Sequence, residues 1–210
     1  MTSMKILIAA ATIAAGTVFS ANAATLINGS LTGPTGSGTV PTGWSINSIT
    51  PDTTSTGSQP FVFNVNPGDS PDGGTWVGLA RNPSVFESFG QTIADFVIGT
   101  TYTLSWYVTN TGCCNGGFSA AAEILSDIDG TTMFTGATHT SDGNWYQESY
   151  SFTATSTSHR LDFRLGLGAD AYMGIDGISL TVSQVPLPAS LPLLAFGLAS
   201  FGLLRRRRKN

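Results

Sequence analysis

Residues 101–109 read Thr-Tyr-Thr-Leu-Ser-Trp-Tyr-Val-Thr, and this stretch decides the fold. The apolar side chains of Tyr102, Leu104, Trp106 and Val108 alternate with side chains that carry a hydroxyl group. Because successive side chains of a β-strand point to opposite faces, the alternation predicts a strand with one buried and one wet face. Such strands belong to antiparallel sheets that have a core on one side only.

The same period of two recurs further along the chain. It is clear at residues 150–155, 160–167 and 178–183, and shorter apolar runs indicate strands at 44–49, 61–65, 76–80, 89–93 and 118–125. Turn-forming Gly, Pro, Asn and Asp separate these segments, and no amphipathic helical pattern of useful length appears. The pattern predicts an all-β fold, an antiparallel β-sandwich of the jelly-roll type. The first segment, 26–31, is expected to pair with the last, 173–182.

The first 23 residues are typical of a secretory signal peptide. Lys5 supplies the positive start, residues 6–19 are mostly apolar, and Ala21-Asn22-Ala23 is a small-residue cleavage site. Cleavage is expected after Ala23. An uncleaved N-terminal anchor and an ordinary buried helix are the alternatives.

The other end of the chain combines three features in order. Val185-Pro186-Leu187-Pro188-Ala189 opens a stretch without charges that runs to residue 204, long enough to cross a bilayer as a helix. A basic cluster follows, formed by Arg205, Arg206, Arg207, Arg208 and Lys209. Such a cluster stays in the cytoplasm and stops translocation. The order predicts a transmembrane helix that tethers the exported part to the inner membrane, for a time or permanently.

This tail resembles the PEP-CTERM protein-sorting tail, and its first five residues are similar to the VPLPA variant. Leu187 stands where the name-giving motif has Glu. The resemblance implies recognition by an exosortase-type membrane transpeptidase, cleavage near the motif, and delivery to a Gram-negative cell surface or extracellular matrix. Proteins with such tails are commonly associated with exopolysaccharide and biofilm. A plain single-pass anchor that is never processed is the alternative.

Charge is distributed very unevenly between the ends and the middle. The whole chain carries a formal net charge of −4. Residues 24–184 hold three arginines, no lysine and all thirteen acidic residues, so this segment alone carries −10. Phosphate contacts need a basic face, so the segment does not bind nucleic acid. We therefore divide the chain into the signal peptide (1–23), one β-sandwich domain (24–184) and the sorting tail (185–210).

The order of short motifs in the middle segment resembles the galactose-binding-like jelly roll of many carbohydrate-binding modules. The motifs are Asn28-Gly29-Ser30-Leu31, Pro41-x-Gly43-Trp44, Gly90-Gln91-Thr92-Ile93, the stretch from Gly99 to Trp106, Trp145-Tyr146-Gln147, and Gly174-Ile175-Asp176-Gly177-Ile178-Ser179-Leu180. The resemblance implies a fold more strongly than a ligand.

In the resembled fold, an Asp at the start of the last strand often helps to bind a structural Ca²⁺. The resemblance places Asp176 in that role, and Asn28 lies in the region that would supply further oxygen ligands. An Asp that merely caps the turn before Gly177 is the alternative. Asp127-x-Asp129-Gly130 has a calcium-like spacing but lacks a downstream Glu, so a hairpin turn is the favoured interpretation there.

Exposed aromatic rings are the usual means of holding a sugar, because the apolar face of a pyranose stacks on them. Tyr107 lies on the wet face of its strand, opposite Trp106. Trp145 and Tyr146 are neighbours, so only one of them points inward. The candidate ligand-binding residues are Tyr107, Trp76, Trp145 and Tyr146. The alternative is that these rings fill the core or cover its edge.

Cys113 and Cys114 are the only cysteines. Export makes a disulfide plausible, and a vicinal bond would close the turn between Gly112 and Gly116. Two free thiols and bridges to another chain remain open. No CxxC pair or neighbouring His completes a zinc site.

Three functions follow from these features. The first is a non-enzymatic, sorted envelope or matrix protein that binds polysaccharide. The second is a structural or adhesive surface protein with a Ca²⁺-stabilised sandwich and no glycan site. The third is a small secreted hydrolase, which lacks support because His139 and His159 accompany no nucleophile motif. We expect no catalytic residues and no cofactor other than Ca²⁺.

Overall fold

The structure is a computed structural model that describes residues 24–166, 168 and 170–183. The predicted signal peptide, the sorting motif and the basic cluster lie outside the described residues. The described strands are β1 (Ser45–Ser48), β2 (Asp52–Thr54), β3 (Trp76–Arg81), β4 (Ser88–Ala94), β5 (Thr101–Asn110), β6 (Ile124–Ile128), β7 (Thr131–Thr135), β8 (Tyr146–Thr153), β9 (Ser158–Leu165) and β10 (Ala171–Val182).

These strands form two five-stranded sheets. The first sheet has the order β1-β4-β9-β6-β7 and the second has the order β2-β3-β10-β5-β8. Every pairing within them is antiparallel. The predicted all-β sandwich is therefore confirmed. Within the described part of the chain, no helix is long and apolar enough to cross a membrane.

The core lies between the two sheets and follows the predicted alternation. On β5, Leu104, Trp106 and Val108 are fully buried. The Trp106 ring meets Phe163 of β9 at a centroid distance of 5.2 Å, which joins the second sheet to the first. Phe89 of β4 stacks beside Phe163 at 5.7 Å. Large aromatic rings thus fill the space between the sheets and hold them together.

A second apolar cluster covers part of the outer side of the second sheet. Its buried members are Phe63, Trp76, Ala80, Cys113 and Tyr172. Two loops supply the cover, since Phe63 bridges to Cys113 through the backbone and the Cys114 amide donates to the Val62 carbonyl at 3.0 Å. Strand β3 is consequently buried on both faces, which single-strand periodicity does not anticipate.

Two predicted strands at the beginning of the domain are absent. Residues 26–31 form a turn, because Asn28 and Leu31 adopt positive φ angles of 51° and 45° that a strand does not permit. A single backbone bond, from the Ile178 amide to the Gly29 carbonyl at 2.8 Å, ties this turn to β10. Residues 61–65 form the loop cover described above instead of a strand; backbone hydrogen bonds to residues 111–114, such as that from the Val65 amide to the Thr111 carbonyl at 3.0 Å, and the buried Phe63 ring hold them.

The hairpin predicted at Asp127-x-Asp129-Gly130 joins β6 to β7. Asp129 and Gly130 both have positive φ angles, 50° and 77°, as tight hairpin turns require. Arg164 donates to Asp127 at 2.7 Å, and the His159 ring contacts Asp129 at 2.6 Å. Both carboxylates are engaged by the fold, which agrees with a structural turn.

Candidate functional site

The second sheet turns a mostly polar surface away from the core, and we call this surface the outer face. It consists of the outward side chains of β3, β10, β5 and β8. Asp176 of β10 stands directly across from Tyr107 of β5. The Trp76 ring lies over Gly174, where a Cβ atom would come within 2.6 Å of it. Three residues singled out from the sequence therefore meet on one surface.

Asp176 is the most unusual group on this surface. Its side chain is fully buried, and neither carboxylate oxygen has a hydrogen bond of normal geometry within the described residues. Burial raises the pKa of this carboxyl to about 7, although the nearby Ser70 hydroxyl and Gly177 amide favour the ionised form. The nearby carboxylate of Asp72 raises the pKa further. An unpaired buried carboxylate of this kind is a functional-site candidate.

An irregularity in β10 opens the sheet beside Asp176. The pairing register with β5 shifts between Asp176 and Ser179, and Gly177 adopts a φ of 58°. A Cβ atom at Gly177 would lie 2.9 Å from the Tyr107 ring and 3.2 Å from the Asp72 Cβ. Gly177 therefore lets the Tyr107 ring and the Asp72 loop approach the backbone from both sides.

A cavity of about 420 Å³ lies next to this bulge, and we call it the Asp72 cavity. Its walls come from the N-terminal turn, the loop around Asp72 and residues 177–180 of β10, and include Ser30, Asp72, Gly177 and Ser179. The volume falls within the range of about 300–1,000 Å³ that is usual for small-molecule sites. Hydroxyl groups, a carboxylate and main-chain atoms dominate its surroundings, so it suits a polar ligand.

Rows of hydroxyl groups extend from Tyr107 along the outer face. The Thr103 hydroxyl bonds to Ser151 of β8 at 2.9 Å and to Ser183 at 2.6 Å. Thr101 makes the same kind of contact with Thr153 at 3.1 Å. Tyr107 itself is half-buried, so part of its ring remains available beside these hydroxyls. The arrangement combines an aromatic surface with many hydrogen-bonding groups.

The prediction that Trp76 stacks on a ligand is wrong. Its ring is fully buried between Phe63, at 5.3 Å, and the half-buried Trp145, at 5.8 Å. The loop cover that buries it is contributed by residues distant in sequence, so the strand pattern alone gave no sign of it.

Tyr146 stacks on His139 at 4.4 Å, and its hydroxyl donates to Asp142 at 2.7 Å. This places Tyr146 at the β8 edge rather than in the Asp72 cavity.

Hydrogen bonds within and next to the N-terminal turn engage the side chain and the carbonyl of Asn28. Its side-chain amide donates to the Thr32 and Thr42 carbonyls at 3.0 Å, and its side-chain oxygen accepts from the Thr32 amide at 3.1 Å. Its main-chain carbonyl accepts from the Trp44 indole at 3.0 Å. These bonds hold the N-terminal turn, and a role for Asn28 as a calcium ligand stays a prediction.

Cys113 and Cys114 are joined in a vicinal disulfide. Cys113 is buried against the second apolar cluster, whereas Cys114 is exposed. The bond lies in the turn that the sequence indicated, and it forms one wall of a second cavity of about 200 Å³. Glu87 and Phe118 also line that cavity.

A second buried acidic group, Glu87, contacts β3 and is not predicted by any sequence pattern. Glu87 accepts from the Ala80 amide at 2.6 Å and from the Thr50 hydroxyl at 3.2 Å. Tyr172 donates its hydroxyl to Asp52 at 3.0 Å. Burial raises the pKa of Glu87 to about 7, and the nearby charge of Asp52 adds to the effect. The only sequence signal was an acid between Phe86 and Phe89.

The described residues contain no group of three or more His, Cys, Asp or Glu side chains that could hold a metal ion. Asp176 and Asp72 nevertheless flank the β10 bulge together, and Ca²⁺ also accepts hydroxyl and main-chain oxygens as ligands. The orphaned carboxylate of Asp176 is therefore compatible with a calcium ion whose remaining ligands are neutral oxygens.

Comparison with protein families identifies the tail. Residues 184–209 match the PEP-CTERM protein-sorting motif. This confirms the predicted PEP-CTERM sorting motif, while the transmembrane helix, the membrane tether and the assignment to the VPLPA variant stay predictions. Comparison with curated protein sequences finds no match.

Several solved structures are similar in fold. A cyclase from Fischerella sp. TAU in complex with 4-(1H-indol-3-yl)butan-2-one aligns with a TM-score of 0.50 and 17% identity, over 70% of this chain and 88% of the cyclase. TmCBM61 in complex with beta-1,4-galactotriose aligns with a TM-score of 0.48 and 11% identity, over 68% and 90%. The enzymatically active domain of bacteriophage CBA120 tailspike protein 4 gives 0.45 and 14%, over 68% of this chain but 20% of the tailspike chain.

Proposed function

We propose that this protein is an exported, exosortase-sorted component of the cell surface or extracellular matrix that binds polysaccharide on its outer face. Its tail is expected to tether it to the inner membrane until a membrane transpeptidase cleaves near Val185–Ala189. The exposed domain then associates with exopolysaccharide, which links it to biofilm. The motif match at residues 184–209 supports the sorting half of the proposal.

One observation carries the binding half. The half-buried Tyr107 ring stands beside Gly177, which lines a cavity of about 420 Å³. A pyranose presents apolar C–H faces and a rim of hydroxyl groups. The Tyr107 ring matches the faces, and the Ser179 and Ser30 side chains with the Asp72 carboxylate match the rim. Hydroxyl rows on β5 and β8 offer further contacts to a chain that continues past the cavity.

Charge defines the class of polysaccharide. The domain carries −10, Asp72 lines the cavity, and the buried Asp176 lies near Asp72. An acidic polymer would be repelled unless a divalent cation lies between polymer and protein. Neutral polysaccharides are therefore the expected ligands in the absence of calcium.

Calcium fits the same site in a supporting role. Asp176 and Asp72 would hold the ion, which supplies the positive charge that the buried carboxylate lacks. The ion would offset the desolvation free energy of the ionised, buried Asp176 carboxylate. It would also fix the bulge at Gly177 in place. The ion would not contact the sugar in this role: the residues around Gly177 position Tyr107 and shape the Asp72 cavity.

The orphaned carboxylate of Asp176 also favours a second candidate function. In it, the sandwich is a structural or adhesive surface protein that calcium stabilises, and no glycan site exists. The two functions differ in one measurement, because only the first predicts retention by a sugar polymer.

Affinity electrophoresis of the full chain tests the binding half. In native gels that contain soluble neutral galactan, xylan or glucan, at least one polymer should retard the wild type. Tyr107→Ala should weaken retention at least about tenfold, since loss of an aromatic anchor in a binding site costs upward of about 1.4 kcal/mol. Met133→Ala, which removes an exposed apolar side chain on the opposite sheet, should change nothing. Equal retention of both variants, or none by the wild type, would refute glycan binding at Tyr107.

Intact mass and fractionation from native cells test the sorting half. The expected result is a protein in the medium or matrix that lacks residues beyond about 190. A full-length chain found only in the inner membrane would contradict sorting and leave the domain on a permanent anchor.

A further inference from the structure

The second cavity of about 200 Å³ differs in character from the Asp72 cavity, and we call it the disulfide pocket. It lies against the second apolar cluster, under the loops that cover β3 and β10. The residues that matter for its chemistry are Phe61, Ala80, Glu87, Phe118, Tyr172 and the Cys113–Cys114 disulfide. It shares none of its lining residues with the Asp72 cavity.

The walls of the disulfide pocket are apolar and offer flat surfaces. Phe61 approaches Tyr172 edge-on at a centroid distance of 6.0 Å, and it remains partly exposed at the rim. The disulfide and Phe118 lie on other sides of the same cavity. Cavities of about 150 Å³ lined by such groups hold a benzene-sized ring. A sugar is a poor occupant, because most of its hydroxyl groups would lose their partners here.

Glu87 provides the exception to this apolar lining. It is buried, and each of its oxygens accepts one bond from the protein, from the Ala80 amide and the Thr50 hydroxyl. Across the described part of the chain, no Arg or His forms an ion pair with it. Each carboxyl oxygen can accept a second hydrogen bond. Glu87 can therefore accept a further hydrogen bond from a donor group on a ligand.

We propose that the disulfide pocket is a binding site for small, uncharged aromatic compounds that carry one hydrogen-bond donor, such as simple phenols. The ring packs against Phe61 and the disulfide, and the hydroxyl group donates to Glu87. This site is separate from the proposed polysaccharide site, and its occupant is a small molecule rather than a polymer.

A matched pair of probes tests the chemistry. Phenol and toluene have nearly the same shape, and only phenol has a donor. Titration of the full chain by ligand-observed NMR should give saturable binding of both, with phenol at least about fivefold tighter. Saturable binding of neither probe would overturn the proposal. Equal affinities would also overturn it, because Glu87 would then play no part.

A matched pair of variants tests the location. Ala80→Leu adds bulk inside the disulfide pocket, and Ala94→Leu makes the same change at an exposed position at the end of β4. Ala80→Leu should weaken phenol binding at least about tenfold, while Ala94→Leu should leave it unchanged. Thermal unfolding of both variants checks that they fold. Phenol binding that survives Ala80→Leu in a folded protein would place the ligand elsewhere.

The pH dependence of phenol affinity tests the hydrogen bond between phenol and Glu87 without a substitution that alters packing. A donor binds the ionised carboxylate best, so phenol affinity should rise between pH 6 and pH 8 while toluene affinity stays constant. Asp52, Tyr172 and Arg81 are the other titratable groups on the strands around Glu87, and Glu87→Gln leaves all three in place. Glu87→Gln should weaken phenol binding about fivefold and abolish the rise with pH. A rise that persists in Glu87→Gln would contradict the assignment.

Discussion

Among the described residues, arginine ion pairs hold acidic residues of the first sheet but none of the second, where Glu148 of β8 contacts His139 at 3.2 Å. On the first sheet, Arg164 pairs with Asp127 at 2.7 Å and Arg160 with Asp162 at 2.9 Å, both from β9. On the second sheet, Asp176 is buried, and Glu87, which directly precedes β4, is buried against Ala80 of β3. Among the residues that the structure describes, no Arg or His pairs with either acid.

This difference distinguishes acids that stabilise the fold from acids that mark candidate binding sites. The acids that pair with the two β9 arginines, Asp127 and Asp162, are satisfied within the fold and need no partner from outside. Buried acids without a counter-charge cost stability whenever they ionise, and such groups concentrate at binding sites. Two cavities lie beside these unpaired acids, the Asp72 cavity near Asp176 and the disulfide pocket at Glu87. The second sheet is therefore the side on which we expect ligands.

The largest expected effect is on stability as a function of pH. The pKa values of Asp176 and Glu87 are both raised to about 7 in the folded state. The unfolded chain ionises at lower pH, so stability is highest below the unfolded pKa values and falls as the pH rises through about 7. Each acid should contribute a loss of about 3 kcal/mol. Urea unfolding at pH 5 and pH 8 with a chelator present measures this, and equal stabilities would contradict the account.

Calcium should reverse the effect of the Asp176→Asn substitution on stability relative to the wild type. With a chelator at pH 8, Asp176→Asn should stabilise the domain by about 2 kcal/mol, because it removes a buried charge of similar shape. With millimolar Ca²⁺, the wild type should gain stability and the variant should not. Thermal unfolding of both proteins in both buffers gives the four values. A calcium response in Asp176→Asn equal to that of the wild type would remove Asp176 as a ligand.

Breaking a pair on the first sheet should act in the opposite direction. Arg164→Gln leaves Asp127 largely buried without its partner, so it should destabilise the domain by about 2 kcal/mol at pH 7. Urea unfolding provides the measurement. A stabilising effect would erase the contrast between the two sheets.

The smallest effect is expected at the more exposed pair on the same strand. Arg160 is about one-third exposed and pairs with Asp162 near Asn47. Arg160→Gln should change stability by less than about 1 kcal/mol, because solvent screens such a pair. A larger loss of stability than that caused by Arg164→Gln would show that solvent exposure does not determine how much each ion pair contributes to stability.

Much of the fold was predictable from local pattern. The period of two on β5 and β9 identified the buried faces, because alternation is a property of a single strand. The short strands β2 and β7 were missed, since β2 has three residues and β7 is a polar, exposed strand with no apolar face to detect. The sequence pattern predicts a strand at Asn28 because the positive φ angle of this residue is not visible in composition.

The candidate site was predictable only in part. Asp176 was identified through its motif and Tyr107 through its position on the wet face of β5. The burial of Trp76 and the disulfide pocket depend on loops that meet across more than forty residues of sequence, such as the contact of Phe63 with Cys113. Long-range packing of this kind leaves no periodic signal. Glu87 was missed for the same reason.

Hydrogen–deuterium exchange of the full chain tests most directly whether the second sheet is the ligand-binding side. It should be measured with and without the neutral polysaccharide that retards the protein most. The account predicts added protection in peptides that cover β5, β10 and the Asp72 loop, and none in peptides that cover β9. Protection confined to β9 and its neighbours β4 and β6 would contradict it and place the ligand on the sheet whose charges are already paired.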